Sequence, residues 1–195
     1  MTQTSRAAAW RDAFGLIVRQ PEHADPLEHA AASARLGDWT KALTQVVVET
    51  CQACSWRATA RGHKLEMLPV AQSEYLSLDV VAFPHGEMRW QFPTAVFELE
   101  NNGNEDRIAY SLWKLLCVKA DLRVVFCYRK RAEDATPLVR ELSAEVVKAM
   151  TTGSRSRLEG ETIVVVGNRG DAEAFPYGYF RWWSLDSGTA SFGLM

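Results

Sequence analysis

The amino-acid sequence predicts an α/β fold: a central mixed β-sheet flanked by helices. Three observations predict it. Helix-spaced apolar stripes take turns with short apolar runs along the chain. Two of those runs, "LRVVFCY" (122–128) and "ETIVVVG" (161–167), are continuously apolar, as expected of strands covered on both faces. A third, "TAVFELE" (94–100), ends in alternation, the mark of a strand whose two faces meet different surroundings. With 195 residues, of which 47% are hydrophobic, the chain is long enough for one core. It reads as a single domain, with a helical extension over 1–37, a central part over 38–128, and a helix and strands over 129–195 that complete the sheet.

The elements follow in order. Residues 5–18 carry Ala8, Phe14, Ile17 and Val18 at roughly helical spacing. "QPEHADP" breaks that helix with two prolines, and a short helix is expected over 27–35. Asp38 is a plausible N-cap for "WTKALTQVVVETCQAC", where Trp39, Leu43, Val46, Val47, Thr50 and Cys54 share one face. Glu49 lies about 100° from the centre of that face, at its border. Strands are expected at "KLEMLPV" (64–70) and "EYLSLDVVAF" (74–83), then a turn at "HGEMRW" (85–90) and the strand at 94–100. Alternation puts Val96, Glu98 and Glu100 on one face, with Phe97 and Leu99 on the other. In the preceding strand Ser77, Asp79 and Val81 share a face. "EDRIAYSLWKLLCVKA" (105–120) is a helix with Ile108, Leu112, Leu115 and Leu116 as its core stripe. After the strand at 122–128, residues 137–150 read as helical. Beyond the strand at 161–167, the aromatic segment from 177 closes the sheet.

Composition excludes some classes of function. The net charge of -2 does not suggest a protein that coats nucleic acid, so an anionic partner must meet a local patch. No apolar run approaches the roughly 18 residues of a membrane helix. The N-terminal stretch lacks the pattern of a secretory leader, so a cytoplasmic protein is the expectation. "CQAC" pairs Cys51 with Cys54 at the spacing of a zinc or redox pair, but no second close pair completes a zinc site. Cysteines packed as small hydrophobes are the expectation.

The carboxylates ask for an explanation. Glu98 and Glu100 lie about 6.6–6.8 Å apart along one strand face, and Asp79 can approach that face from the neighbouring strand. Three carboxylates this close repel, unless one takes a proton or a cation neutralises them. A hard divalent cation such as Mg²⁺ suits such a cluster, and a metal-bound water suits phosphodiester hydrolysis. Helix, three strands, helix, strand, with Asp79 in the second strand and "ELE" ending the third, resembles the PD-(D/E)XK nuclease superfamily over roughly 38–128. That is the restriction-endonuclease-like αβββαβ core.

The resemblance implies Mg²⁺ or Mn²⁺ as cofactor and DNA as substrate, with a second copy or a partner subunit as a further partner. It implies that Asp79 and Glu98, with the carbonyl of Leu99, hold metal, and that Glu49 is the early helical glutamate. It departs at Glu100, where the family usually has lysine. Glu100 must then direct the water or the metal as a carboxylate, or activity has been lost. Lys114 is a candidate for a migrated lysine, although it points about 150° away from its helix's apolar stripe; a solvated lysine is the plainer reading. Arg129, Lys130 and Arg131 in "YRKR" are candidates for phosphate contacts, and surface solubility explains them equally well. "YFRWW" (179–183) has the composition to stack bases, with core packing favoured. For Glu98 and Glu100 the plain alternative is a solvated strand end, and for Glu49 an exposed helix charge. Two other functions stay open: an inactive member of the same fold that binds or assembles, and a cation- or small-molecule-binding domain.

Overall fold

Seven strands form one mixed sheet whose spatial order follows the chain, in a computed structural model that describes residues 5–70, 72, 74–86, 88–170 and 175–195. Residues 1–4 and Glu87, which fall in the N-terminal stretch and in the turn at 85–90, lie outside the described residues. Three helices come first: α1 (Arg6–Ile17), α2 (Pro21–Ala32) and α3 (Leu36–Ala53). Strands β1 (Trp56–Ala60), β2 (Val80–Pro84) and β3 (Ala95–Leu99) follow and pair antiparallel in turn. Helix α4 (Glu105–Leu116) crosses over to β4 (Leu122–Arg129), which pairs parallel to β3. After α5 (Ala135–Leu142), a wider helical turn at Ser143–Val147 and the short α6 (Thr152–Arg155), β5 (Glu161–Asn168) joins parallel to β4. Strands β6 (Phe180–Asp186) and β7 (Ser191–Leu194) complete the sheet as antiparallel neighbours. The α/β fold with a mixed sheet between helices is as the sequence predicts.

The period of two sorts the strand residues between two cores. Val80, Ala82, Phe97, Leu99, Val124, Phe126 and Val165 face α1, α2 and α3. That side is closed by rings: Trp10 packs on Phe97 at 5.1 Å between centroids and Phe14 on Phe126 at 5.5 Å. The Trp39 indole donates to the Tyr128 hydroxyl at 2.7 Å. Val81, Val96, Val125, Cys127, Val164 and Val166 face α4 and α5 instead, against Ile108, Leu112, Leu115 and Leu138. The N-terminus of α1 is tied to the sheet by Glu161, whose Oε2 accepts the Ala7 N–H at 3.0 Å.

Several boundaries differ from expectation. The break after α1 falls at Gln20–Pro21, as expected, but Pro21 opens α2, where its missing N–H costs nothing, and Pro26 lies inside that helix, which starts well before residue 27. Asp38 is not the cap of α3 but sits in its first turn, where the helix dipole favours an anion, and pairs with Arg35 at 3.2 Å. The first strand is "WRATA" (56–60), not 64–70, where no strand forms. Residues 74–79 form no strand: Tyr75–Ser77 form a single tight turn, and β2 begins only at Val80. Helix 105–120 ends earlier, at Leu116, and 137–150 is α5 plus the wide turn. Cys51 and Cys127 are buried free thiols, Cys54 is half-buried, and Cys117 is exposed. None of the helices is long and apolar enough to cross a membrane, among the described residues.

Candidate functional site

The site grows from one strand end. Leu99 belongs to the ring-filled core, so Glu98 must point to the α4 side. Asp79, two residues before Val81, shares that side. Its Oδ2 accepts the Leu99 N–H at 2.7 Å, which fastens the start of β2 to the end of β3. Leu99 thus enters the site through its N–H.

Glu98 is only 6% exposed. Ser111 and Lys114, three residues apart on α4, both meet it, as helix neighbours at that spacing can. The Ser111 hydroxyl donates to Glu98 Oε2 at 3.2 Å. Lys114 Nζ lies 2.8 Å from Glu98 Oε1 and 2.9 Å from the Ser77 carbonyl oxygen, to which it donates. The contact with Oε1 is a close ion pair, and no other hydrogen bond reaches this buried oxygen among the described residues. Burial pushes the Glu98 carboxyl up to about 7, against the lowering effect of Lys114, and the nearby Asp79 charge pushes the same way as burial.

The turn that delivers Ser77 is strained. Leu76 and Ser77 have φ of 59° and 54°, a left-handed conformation that costs L-residues roughly 1–2 kcal/mol each. Two such residues in succession, two positions before Asp79, aim the Ser77 carbonyl at the Lys114 ammonium. Strain of this kind collects at functional sites because the surroundings must hold it in place.

Lys114 is where sequence reasoning misjudged the site. A helical wheel treats a side chain as lying where its Cα lies. The four-carbon stem of lysine spans that error, and its stem packs while its head seeks a charge. The signal available in the sequence was Ser111, a polar residue within the apolar stripe, three positions before Lys114.

The other sequence candidates lie in different settings. Glu100 follows β3, and its Oε1 accepts the Asn102 N–H at 2.6 Å, so it shapes the loop. The asparagines do the same: Asn102 Oδ1 accepts the Asn104 N–H, and Asn104 caps α4 through the Arg107 N–H at 3.1 Å. Glu49 is not brought to Asp79 and Glu98. It belongs to α3, on the ring-filled side of the sheet, where His23 Nε2 meets its Oε2 at 2.8 Å and Gln45 donates to its Oε1. His23 and Gln45 border a cleft of about 620 Å³ between α2, α3 and the turn after β1. Arg129 is held by Glu105 at 2.8 Å and Arg131 by Asp134 at 2.8 Å, whereas Lys130 makes no ion pair among the described residues. "YFRWW" packs: Tyr179 and Trp183 are buried, and Phe180 lies 4.9 Å from the Tyr179 ring.

Among the described residues, no group of three or more His, Cys, Asp and Glu side chains is placed to hold a metal ion. The arrangement that exists is two carboxylates, an ammonium and a hydroxyl. Mg²⁺ asks for little more from a protein, since it commonly takes one or two carboxylates and fills its octahedron with water and substrate phosphate. A carboxylate oxygen has more than one lone pair, so Glu98 Oε1 keeps acceptor capacity beyond its contact with Lys114. No protein-family model, curated protein or solved structure matches the chain.

Proposed function

We propose that this protein is a Mg²⁺- or Mn²⁺-dependent DNA phosphodiesterase, a nuclease or a nuclease subunit, acting at Asp79, Glu98 and Lys114. The observation that carries the proposal is the buried Glu98 carboxylate, which stands near a second carboxylate, Asp79, with the Lys114 ammonium 2.8 Å from its Oε1. A buried charge this expensive is hard to explain as packing alone. The order of the elements supports the same reading: one helix, three antiparallel strands, a crossover helix, and a fourth strand parallel to the third. This is the order that resembles the restriction-endonuclease-like core, with Asp79 immediately before the second strand and Glu98 on the third.

Asp79 and Glu98 would hold the cation. When bound, it supplies a water of lowered pKa and a Lewis acid for a phosphodiester oxygen. Glu98 must shed its proton to serve. Ser111 holds its Oε2, so the carboxylate keeps one orientation. Leu99 N–H holds Asp79 in the same way. Lys114 takes the part that the family gives to the strand lysine: its ammonium offsets negative charge next to the carboxylates and can orient the attacking water. Glu100, in the strand lysine's place, is left to the loop.

The direct test is cleavage of fluorescently labelled single- and double-stranded DNA by the purified protein, with Mg²⁺, Mn²⁺ or EDTA. Metal-dependent cleavage that Glu98→Gln abolishes supports the proposal. A second reading is a non-catalytic assembly module of the same fold. It is favoured by Met88, Trp90 and Phe92 in the β2–β3 connection, which are 72%, 57% and 80% exposed. Absence of cleavage with either metal, together with a stable oligomer that Phe92→Ser disperses, would select that reading instead.

A further inference from the structure

The core takes in much of the aromatic run at 179–183, yet two rings of α4 stay outside. Tyr110 and Trp113 on α4 are 56% and 53% exposed. They do not stand apart: the rings stack on each other, 5.8 Å between centroids and 24° between planes. Lys114 Nζ lies 5.9 Å from the Tyr110 ring centroid and 2.8 Å from Glu98 Oε1. The ring face therefore begins at the ammonium of the proposed catalytic site.

Charge gives this face a direction. Arg107, Tyr110 and Lys114 succeed one another along one side of α4, at the three- and seven-residue spacings that align on a helix. Arg107 is exposed and makes no ion pair among the described residues. Glu105 and Asp106, in the first turn, favour the helix dipole. Glu105 is spoken for by Arg129 at 2.8 Å. Tyr110 and Trp113 both also border the groove toward α5, which Glu105, Asp106, Glu141 and Glu145 line. A polyanion is thus repelled on the α5 flank, and on the other flank it meets the unpaired Arg107 and a Lys114 already paired with Glu98.

We infer that the Tyr110–Trp113 pair is a base-stacking platform that delivers single-stranded DNA to Glu98 and Lys114. The inference rests on the hydrolytic reading of that site and names its substrate. Duplex bases hide their faces in the stack, whereas a single strand exposes them. Base–aromatic stacking accepts any base, because every base has a π-face. One strand then meets Arg107 and Lys114 with its phosphates and the rings with its bases. A net charge of -2 fits a short contact of this kind better than a long duplex track.

The test is binding of a fluorescein-labelled oligothymidylate of about 16 nucleotides and of a blunt duplex of equal length, in EDTA and low salt, by anisotropy. Tyr110→Ala and Trp113→Ala should each weaken single-strand binding by about tenfold and leave duplex binding unchanged. Tyr110→Phe keeps the ring and should bind as the wild type does. Unchanged melting temperatures would show that the alanine variants fold. Single-strand binding unaffected by either alanine substitution overturns the platform. So does a wild-type dimer that both substitutions disperse, because the rings would then be a contact between copies. A metal-dependent cleavage assay run beside it separates the two ideas. Cleavage of duplex alone, with the ring variants fully active, leaves hydrolysis standing and removes the platform. Ring-dependent single-strand binding without cleavage keeps the platform and removes hydrolysis.

Discussion

Glu98 and Glu49 each meet a basic group at 2.8 Å, Lys114 in one case and His23 in the other. The two sites differ in burial and in neighbouring charge. The Glu49 side chain is 33% exposed, and both its oxygens are engaged, one by His23 and one by Gln45. It has the partners a structural carboxylate requires. The Glu98 side chain is 8% exposed and stands near a second carboxylate, with Lys114 at one oxygen and Ser111 at the other. A contact distance alone does not distinguish a structural pair from a chemical one. Burial beside a second carboxylate does, because it leaves a charge that an incoming cation can stabilise.

The largest expected effect is on catalysis. Glu98→Gln, Asp79→Asn and Lys114→Ala should each cut metal-dependent cleavage by at least the roughly hundredfold that follows loss of a general acid–base group. Glu49→Gln should leave the rate within a few-fold of wild type. If instead Glu49→Gln disabled cleavage while Glu98→Gln did not, the roles assigned to the two pairs would be reversed. Initial rates on labelled DNA decide it.

The second effect is the dependence of stability on pH. Folded Glu98 keeps its proton to about 7, whereas a carboxyl in the unfolded chain releases it near 4.5. Between those values the folded state binds more protons, so its stability falls as pH rises, and the loss is complete above about 7. The shift corresponds to a loss of roughly 3 kcal/mol. Urea melts at pH 5 and pH 8 should show the decline, and Glu98→Gln should flatten it. The same ionisation predicts that cleavage rises with pH through about 7, as Glu98 becomes able to hold a cation.

A smaller effect is stabilisation by metal. A ligand at a hundredfold excess over its Kd adds about 2.7 kcal/mol. Mg²⁺ should therefore raise the melting temperature of the wild type but not of Asp79→Asn. Equal melting curves for the wild type with Mg²⁺ and with EDTA would leave Glu98 without its proposed ligand.

What was legible in the sequence was what obeys a period. Alternation over Val96–Leu99 placed Glu98 on the correct side of β3, and the stripe of Ile108, Leu112, Leu115 and Leu116 located the core face of α4. Strand β1 was not legible, because Arg57, Ala58, Thr59 and Ala60 are too small or too polar to announce a strand. "KLEMLPV" looked more strand-like, yet it forms only a loop that buries Met67. The turn at Leu76–Ser77 has no local signal, since neither residue favours a left-handed backbone; the tertiary contacts of Lys114 and Asp79 accompany it. Lys114 itself was hidden by the length of its side chain.

The smallest expected effects are on the structural carboxylates. Glu49→Gln and Glu100→Gln should each cost about 1 kcal/mol, the scale of one net hydrogen bond. For Glu100 the loss would fall on the Asn102 turn. Thermal melts measure both. A hundredfold loss of cleavage in Glu100→Gln would move the proposed role of Lys114 back to Glu100.

The most direct test of the central claim is the cleavage rate of Lys114→Ala beside that of the wild type, on single-stranded DNA with Mg²⁺ or Mn²⁺. A metal-dependent wild-type rate that falls at least a hundredfold in the variant, with its melting curve still cooperative, is the predicted result. A variant that cuts as fast as the wild type would contradict the account, and so would a wild type that cuts no DNA with either metal.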